Sequence, residues 1–303
     1  MITSVGNYEK KIQDKGISGS TLKLIGIITM LIDHTAAVVI NRIIQLSNGP
    51  SPRLESLYYA MRLIGRIAFP IFCFLLIEGF KYTRSHKRYA IRLGVFAFIS
   101  EIPFNLAFRG KLFAADYQNV FFTLLIGLLM IQGFSLIRKK TGNKKWLAIT
   151  AVIGAVAAGW MASNILLRFA TAISAGEAVI FSLIMCLIML FLYWKTCKES
   201  TEQISNIYFS KLLILVIAMV IADFLNTDYG GFGILTIAVM YTYRQSPVKS
   251  MLAACITLTI MSYFQLISFV NVIFIKLYKG KRGLSLKYFF YLFYPVHLLV
   301  LYF

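Results

Sequence analysis

The sequence predicts an all-α fold, a polytopic integral membrane helix bundle of about ten transmembrane helices, and three observations carry that expectation. Hydrophobic residues make up 59% of the 303 positions, while Asp, Glu, Lys and Arg reach only 14%, where a soluble domain runs near a quarter. The apolar residues come in runs long enough for a helix to cross the hydrocarbon of a bilayer. The net charge of +19, from 31 Lys and Arg against 12 Asp and Glu, lies in the loops between those runs. In a soluble protein such a charge suggests nucleic acid. Here topology accounts for it, and the lipid bilayer is the implied partner.

Residues 1–20 read as a polar cytoplasmic tail (EKKIQDKG) with no cleavable signal peptide, and 21–303 as a single transmembrane domain. The apolar runs fall at 21–43, 57–82, 88–108, 119–138, 146–168, 172–194, 207–226, 230–244, 249–275 and 286–303. Cations gather in alternate loops: Lys81, Arg84, Lys87 and Arg88, then Arg138 to Lys145, then Lys195, Lys198 and Lys211. With Lys10, Lys11 and Lys15 ahead of the first run, this places the N-terminus in the cytoplasm. One loop resists. With ten full spans, Lys276, Lys279, Lys281, Arg282 and Lys287 fall outside. Counting 207–244 as one crossing, broken at DFLNTDYGGFG, gives nine spans and returns them inside.

The first run, TLKLIGIITMLIDHTAAVVINRI, carries the most informative residues. Lys23 and His34 are eleven positions apart, almost three whole helical turns, so they share one face about 16 Å apart along the axis. Ionisable groups at membrane depth are expensive and point to function. A cation at the rim, with an acid–base group one anionic cofactor's reach below it, suggests a donor slot above a reaction centre.

Other polar residues trace to the outer half of the bilayer: Glu101, Asn105, Asn119, Asp223, Asn226 and Asp228, with Arg62 and Arg66 entering from the same side. Arg62 and Arg66 share a helical face, where like charges repel unless a phosphate, a carboxylate or Glu101 sits between them. Asp33 lies roughly 100° around the helix from His34 and is poorly placed to orient its neighbour's ring. A carboxylate from another helix is expected for that, with Glu101, Asp223 and Asp228 as candidates. His86, in SHKR, reads as solvated, and His297, in YPVHLL, as structural. Cys73, Cys186, Cys197 and Cys255 are scattered and indicate neither a metal site nor a disulfide.

Several segments in order resemble the TraX family of membrane acetyltransferases: LKLIGIITMLIDHT, GRIAFPIFCFLLIEG, ISEIPFNLAF, QNVFFTLLIGL, NTDYGGFGIL, YKGKRG and KYFFYLFYPVHLL. Together they cover nearly all of 21–303. The first is also similar to the basic-x10-His motif of the wider transmembrane acyltransferase group, whose fold is a ten-helix membrane bundle. The resemblance implies acetyl-CoA as co-substrate, no metal, a bacterial inner-membrane location, and an acceptor such as the N-terminal amine of a pilin. It implies His34 as the catalytic histidine and Lys23 as its basic partner. Glu101, Pro103, Phe104, Asn105, Asn119, Asp228 and Tyr229 match family positions, as do Tyr294, Pro295 and His297 of the C-terminal signature. We assign Asp33, His34, Glu101, Asn105, Asn119 and Asp228 to catalysis, and Lys23, Arg62, Arg66, Tyr294 and His297 to the donor. Residues 140–205 match no family motif, which leaves the acceptor open among a pilin-like peptide amine, a cell-envelope glycan and a lipid.

The expected chemistry has His34 as general base for an amine or hydroxyl attacking the thioester, with Asn105, Asn119 or Arg66 donating to the oxyanion. An acetyl-histidine intermediate fits equally. The rival reading is a proton-coupled transporter or flippase that uses the intramembrane acids; an envelope scaffold without chemistry is a third.

Overall fold

The structure is a computed structural model describing residues 16–47, 51–139, 203–284 and 287–303, with 152–156 and isolated positions at 159, 183–184 and 187. The tail ahead of Gly16, the cations Lys140, Lys144, Lys145, Lys195 and Lys198, and Glu177, Cys186 and Cys197 lie outside the described residues. So does nearly all of the runs at 146–168 and 172–194.

Among the described residues every element is helical. α1 spans Gly19–Leu46, α2 Pro52–Gly65, α3 Ala68–Tyr82, α4 His86–Arg109 and α5 Val120–Lys139. α6 spans Gln203–Phe224, α7 Gly230–Thr242, α8 Pro247–Met261, α9 Val270–Lys276 and α10 Lys287–Tyr302, with a 3₁₀ segment at Tyr263–Phe269. Local chemistry sets several ends. Ser18 and Ser85 cap α1 and α4 through their hydroxyls. Pro52 and Pro247 open α2 and α8, where a missing N–H costs nothing. Gly110, at φ 64°, closes α4 in the left-handed conformation that glycine permits.

Among the described residues five helical stretches are long and apolar enough to cross a membrane: Gly19–Leu46, Pro52–Tyr82, His86–Arg109, Val120–Ile137 and Ile207–Phe224. The chain is a helical membrane protein. Its apolar side chains divide between two environments. Leu22, Ile71, Leu128, Ile237, Met251 and Leu298 are wholly buried between helices, whereas Phe98, Ile260 and Val300 are about 70% exposed on the outer face. Lipid solvates that outer face, so helix association rests on close packing and interhelical hydrogen bonds.

Three helices that meet at the centre run in one direction. Lys23 of α1 lies over the Phe290 ring of α10, and farther along the same pair His34 meets His297. On α4, Phe96 stacks on Tyr291 and Phe108 meets His34. The starts of α1, α4 and α10 therefore share one end of the bundle, here termed the N-terminal side.

One topological expectation changes. The run 249–275 is not one span. α8 stops at Met261, Ser262 turns extended at φ −161°, and the chain doubles back through the 3₁₀ segment and α9. α8 begins on the N-terminal side, where Ser250 donates to the Met240 carbonyl and Tyr241 packs on Phe80. The returning arm passes beside the α2–α3 junction, where Asn271 donates to the Ile67 carbonyl at 3.0 Å. It then reaches α1: Ile17 N–H donates to Leu277 O, Gly19 N–H to Lys281 O and Ser20 N–H to Arg282 O. The basic loop expected outside thus lies beside the chain's own N-terminal residues. The region 207–244 folds as the two separate runs expected, helices α6 and α7 packed on each other, and not as the one broken crossing of the nine-span alternative. Their connection uses two non-glycine residues at positive φ, Asn226 at 50° and Tyr229 at 65°, a reversal that the residues NTDYGG allow.

Candidate functional site

At the centre of the bundle, His34 Nδ1 lies 2.7 Å from His297 Nε2, and His297 Nδ1 lies 2.8 Å from the Phe293 carbonyl. The two rings are nearly parallel, at 8°. Phe108 and Tyr294 pack edge-on against His34, and Phe293 stacks on His297. The helical register of α1 changes directly below the pair, where Ala36–Ile40 forms a π turn, a feature frequent at functional sites. Among the described residues no carboxylate orients His34. Glu101 accepts from Asn119, Asp228 from Tyr117, and Asp223 caps α7 through the Gly231 N–H. The expected carboxylate partner is replaced by His297, because parallel α1 and α10 bring both imidazoles to one depth. Nor is His86 merely solvated: it is half-buried, stacked on Phe80 and bonded to the Phe80 carbonyl at 3.1 Å.

Asp33 points away from its neighbour, toward α2. Its carboxylate meets Arg62 at 2.5 Å and Arg66 at 3.9 Å, so Asp33, not Glu101, separates the two like charges. α1 and α2 come so close here that a Cβ on Gly65 would overlap Asp33. Arg62 and Arg66 are held on this flank and line no part of the cavity described below.

The remaining polar residues form a second cluster, built by two loops. Gln118 N–H donates to Asn226 O, and Asp228 N–H to Gln118 O. This zip seats Tyr117 Oη on Asp228 at 2.7 Å and Asn119 Nδ2 on Glu101 at 2.5 Å. Thr123 donates to the Asp228 carbonyl. Burial beside Asp228 raises the Tyr117 hydroxyl above its ordinary range, which keeps it a proton donor. Of the two asparagines expected to face an oxyanion, Asn119 spends its amide on Glu101 and the Ala97 carbonyl. Asn105 is buried with Oδ1 unpaired among the described residues.

Above the histidines, toward the N-terminal side, lies a cavity of about 940 Å³ between α1, α3, α4, α5 and α10. Lys23, Arg84, Arg88, Arg92 and Arg282 line it, against the single carboxylate Glu78. Ile27, Met30, Leu76, Phe121 and Leu124 make its deeper wall, and it reaches Tyr294, whose ring touches His34. Buried Arg92 Nε has no partner among the described residues. Sequence reading missed Arg92 and passed over Arg84 and Arg88 as loop charges. The available signal was the spacing of Arg88 and Arg92, four apart on α4, a like-charge pair that calls for an anion.

The TraX family model, described as TraX protein, matches residues 18–163 and 158–303. The chain belongs to the TraX family. It is also similar to a Dichelobacter nodosus protein named "Probable fimbrial assembly protein FimC, serogroup H1", 36% identical over 123 residues. That alignment covers 38% of this chain and 45% of the relative, so it spans less than half of either. No solved structure matches the chain. The TraX segments read in the sequence supply both clusters: LIDHT His34 and YPVHLL Tyr294 and His297 at the histidine pair, ISEIPFNLAF Glu101 and NTDYGG Asp228 at the second.

Proposed function

We propose that this TraX-family chain is an integral membrane acyltransferase that moves an acetyl group from acetyl-CoA to an amine or hydroxyl of an envelope or exported acceptor. The observation carrying the proposal is the cavity: a cationic mouth, an apolar shaft, and a floor at Tyr294 beside a buried histidine. Its residues fit coenzyme A. Lys23, Arg88, Arg92 and Arg282 suit the phosphates, Ile27, Met30 and Leu76 suit the pantetheine arm, and the volume is at the large end of small-molecule sites.

In this reading the N-terminal side faces the cytoplasm. The 83–85, 243–246 and 277–284 connections, the last of them returned to that side by the fold, carry Arg84, Arg244, Lys279, Lys281 and Arg282, as the charge rule for cytoplasmic loops requires. The cell's inner membrane is the proposed location. His34 takes the proton of the acceptor N–H or O–H as the new C–N or C–O bond forms and the C–S bond breaks. It then returns that proton to the leaving thiolate. Tyr117, in the loop beyond the end of α4, stands on the opposite side of the bundle from the cavity mouth, where the acceptor would enter. The fimbrial assembly relative favours a pilin-like peptide amine as acceptor.

The test is isothermal titration of acetyl-CoA into the detergent-purified chain. Micromolar, saturable binding that weakens at least tenfold in Lys23→Ala or Arg92→Ala supports the donor site. Absence of binding by folded protein removes the proposal.

A further inference from the structure

The two imidazoles make a chain with only one self-consistent proton arrangement when both are neutral. The Phe293 carbonyl can only accept, so His297 must carry its proton on Nδ1 to donate there, at 2.8 Å. Its Nε2 is then a bare lone pair and can only accept. The atom it faces, His34 Nδ1, must therefore carry the proton of the 2.7 Å contact. The nearly parallel rings put that bond close to both ring planes. What remains is His34 Nε2, stripped of its proton and without a hydrogen-bond partner among the described residues. Phe108 and Tyr294 pack edge-on against the ring.

We infer that His297 is the positioning residue of this site: it fixes His34 in the Nδ1–H tautomer and leaves Nε2 as the nitrogen free to take a proton. The role is the one a carboxylate fills in better-known catalytic histidines, where the group on one ring nitrogen decides what the other can do. A neutral imidazole has a different consequence. A carboxylate would offset the charge of an imidazolium, whereas His297 offers a lone pair and no charge. His34 is thus readied as a base without a buried anion between α1 and α10, and the nearest carboxylate, Asp33, is already committed to Arg62. The inference rests on the reading of His34 as the base, and it extends that reading by naming which nitrogen acts and what enforces it.

The experiment uses the full chain in lipid nanodiscs, labelled with ¹⁵N-histidine. The sequence holds three histidines, His34, His86 and His297, and a His86→Gln background leaves the pair alone. Both residues are expected to show protonated Nδ1 and unprotonated Nε2, with His34 Nδ1 coupled across the hydrogen bond to His297 Nε2. His34 protonated on Nε2 would overturn the inference whether or not the chain is an acyltransferase. Turnover of acetyl-CoA with hydroxylamine as probe acceptor forms the second arm. His297→Leu should lower kcat about 10- to 100-fold, as loss of an orienting partner commonly does, with KM for acetyl-CoA unchanged. His297→Gln, whose amide oxygen can still accept from His34 Nδ1–H, should recover most of that loss. Equal loss in both variants with KM rising in parallel would mark His297 as structural and reject the role. Acetyl-CoA turnover that is absent in wild type while the tautomers match would reject the acyltransferase reading alone.

Discussion

His34 and Asp33 are adjacent in sequence and opposite in task. One ring nitrogen of His34 is held by His297 while the other stays open, and Asp33 faces the opposite flank to neutralise Arg62 and Arg66. Substitutions should separate these tasks. His34→Ala is expected to lower acetyl transfer about 10²- to 10⁴-fold, the usual cost of an essential base, while acetyl-CoA affinity by titration stays within threefold. Asp33→Ala leaves two cations in a partly buried site with Asp228, beyond ion-pair distance, as the remaining counter-charge among the described residues. Arg62 is 27% exposed, so the loss should be about 2–3 kcal/mol, below the range for fully buried pairs. It would be read as a lower melting temperature in detergent. Asp33→Ala with Arg62→Met should recover part of it, since removing both partners leaves less uncompensated charge.

At the scale of elements, the site depends on close approaches and on loops that hold each other. α1 and α2 touch at Gly65, where any side chain would displace Asp33. Gly65→Ala should therefore destabilise the protein and weaken the grip on Arg62. Gly94→Ala, whose added methyl meets only Leu125 Cδ2 at 3.6 Å, should be neutral or stabilising by up to about 1 kcal/mol, because alanine loses less backbone entropy in a helix. Thermal melts of the two variants side by side check this contrast. The helices themselves were legible from the runs of apolar residues, and the start of α1 falls within two residues of its expected place. The fold-back at Ser262 was not, because no proline or glycine marks it. Gln265, Ser268 and Asn271, polar at every third position and all buried, were the signal, since residues three apart eclipse on a 3₁₀ helix.

Over the whole molecule, loops from opposite ends of the sequence collect on one side and give the cavity its charge. A cysteine placed at Lys279, with the four native cysteines replaced, should react with a membrane-impermeant thiol reagent from the same side as a cysteine at exposed Arg84. Labelling from opposite sides would mean that the basic loop does not return. The summed field of Lys23, Arg84, Arg88, Arg92 and Arg282 should also make acetyl-CoA binding salt-sensitive. Arg88→Ala with Arg92→Ala should weaken it at least tenfold and flatten its dependence on ionic strength.

The sequence by itself determined the membrane, the helical class, the family, and the face shared by Lys23 and His34. Each of these follows from composition, from ordered motifs or from the 3.6-residue period, all of which are properties of contiguous residues. Only the tertiary structure decided the partner of His34, the committed roles of Asp33, Arg62 and Asp223, and the side on which the 277–284 loop lies. These depend on which helices become neighbours and at what depth. His34 and His297 stand 263 positions apart, and no local pattern encodes that two parallel helices will bring them within one hydrogen bond.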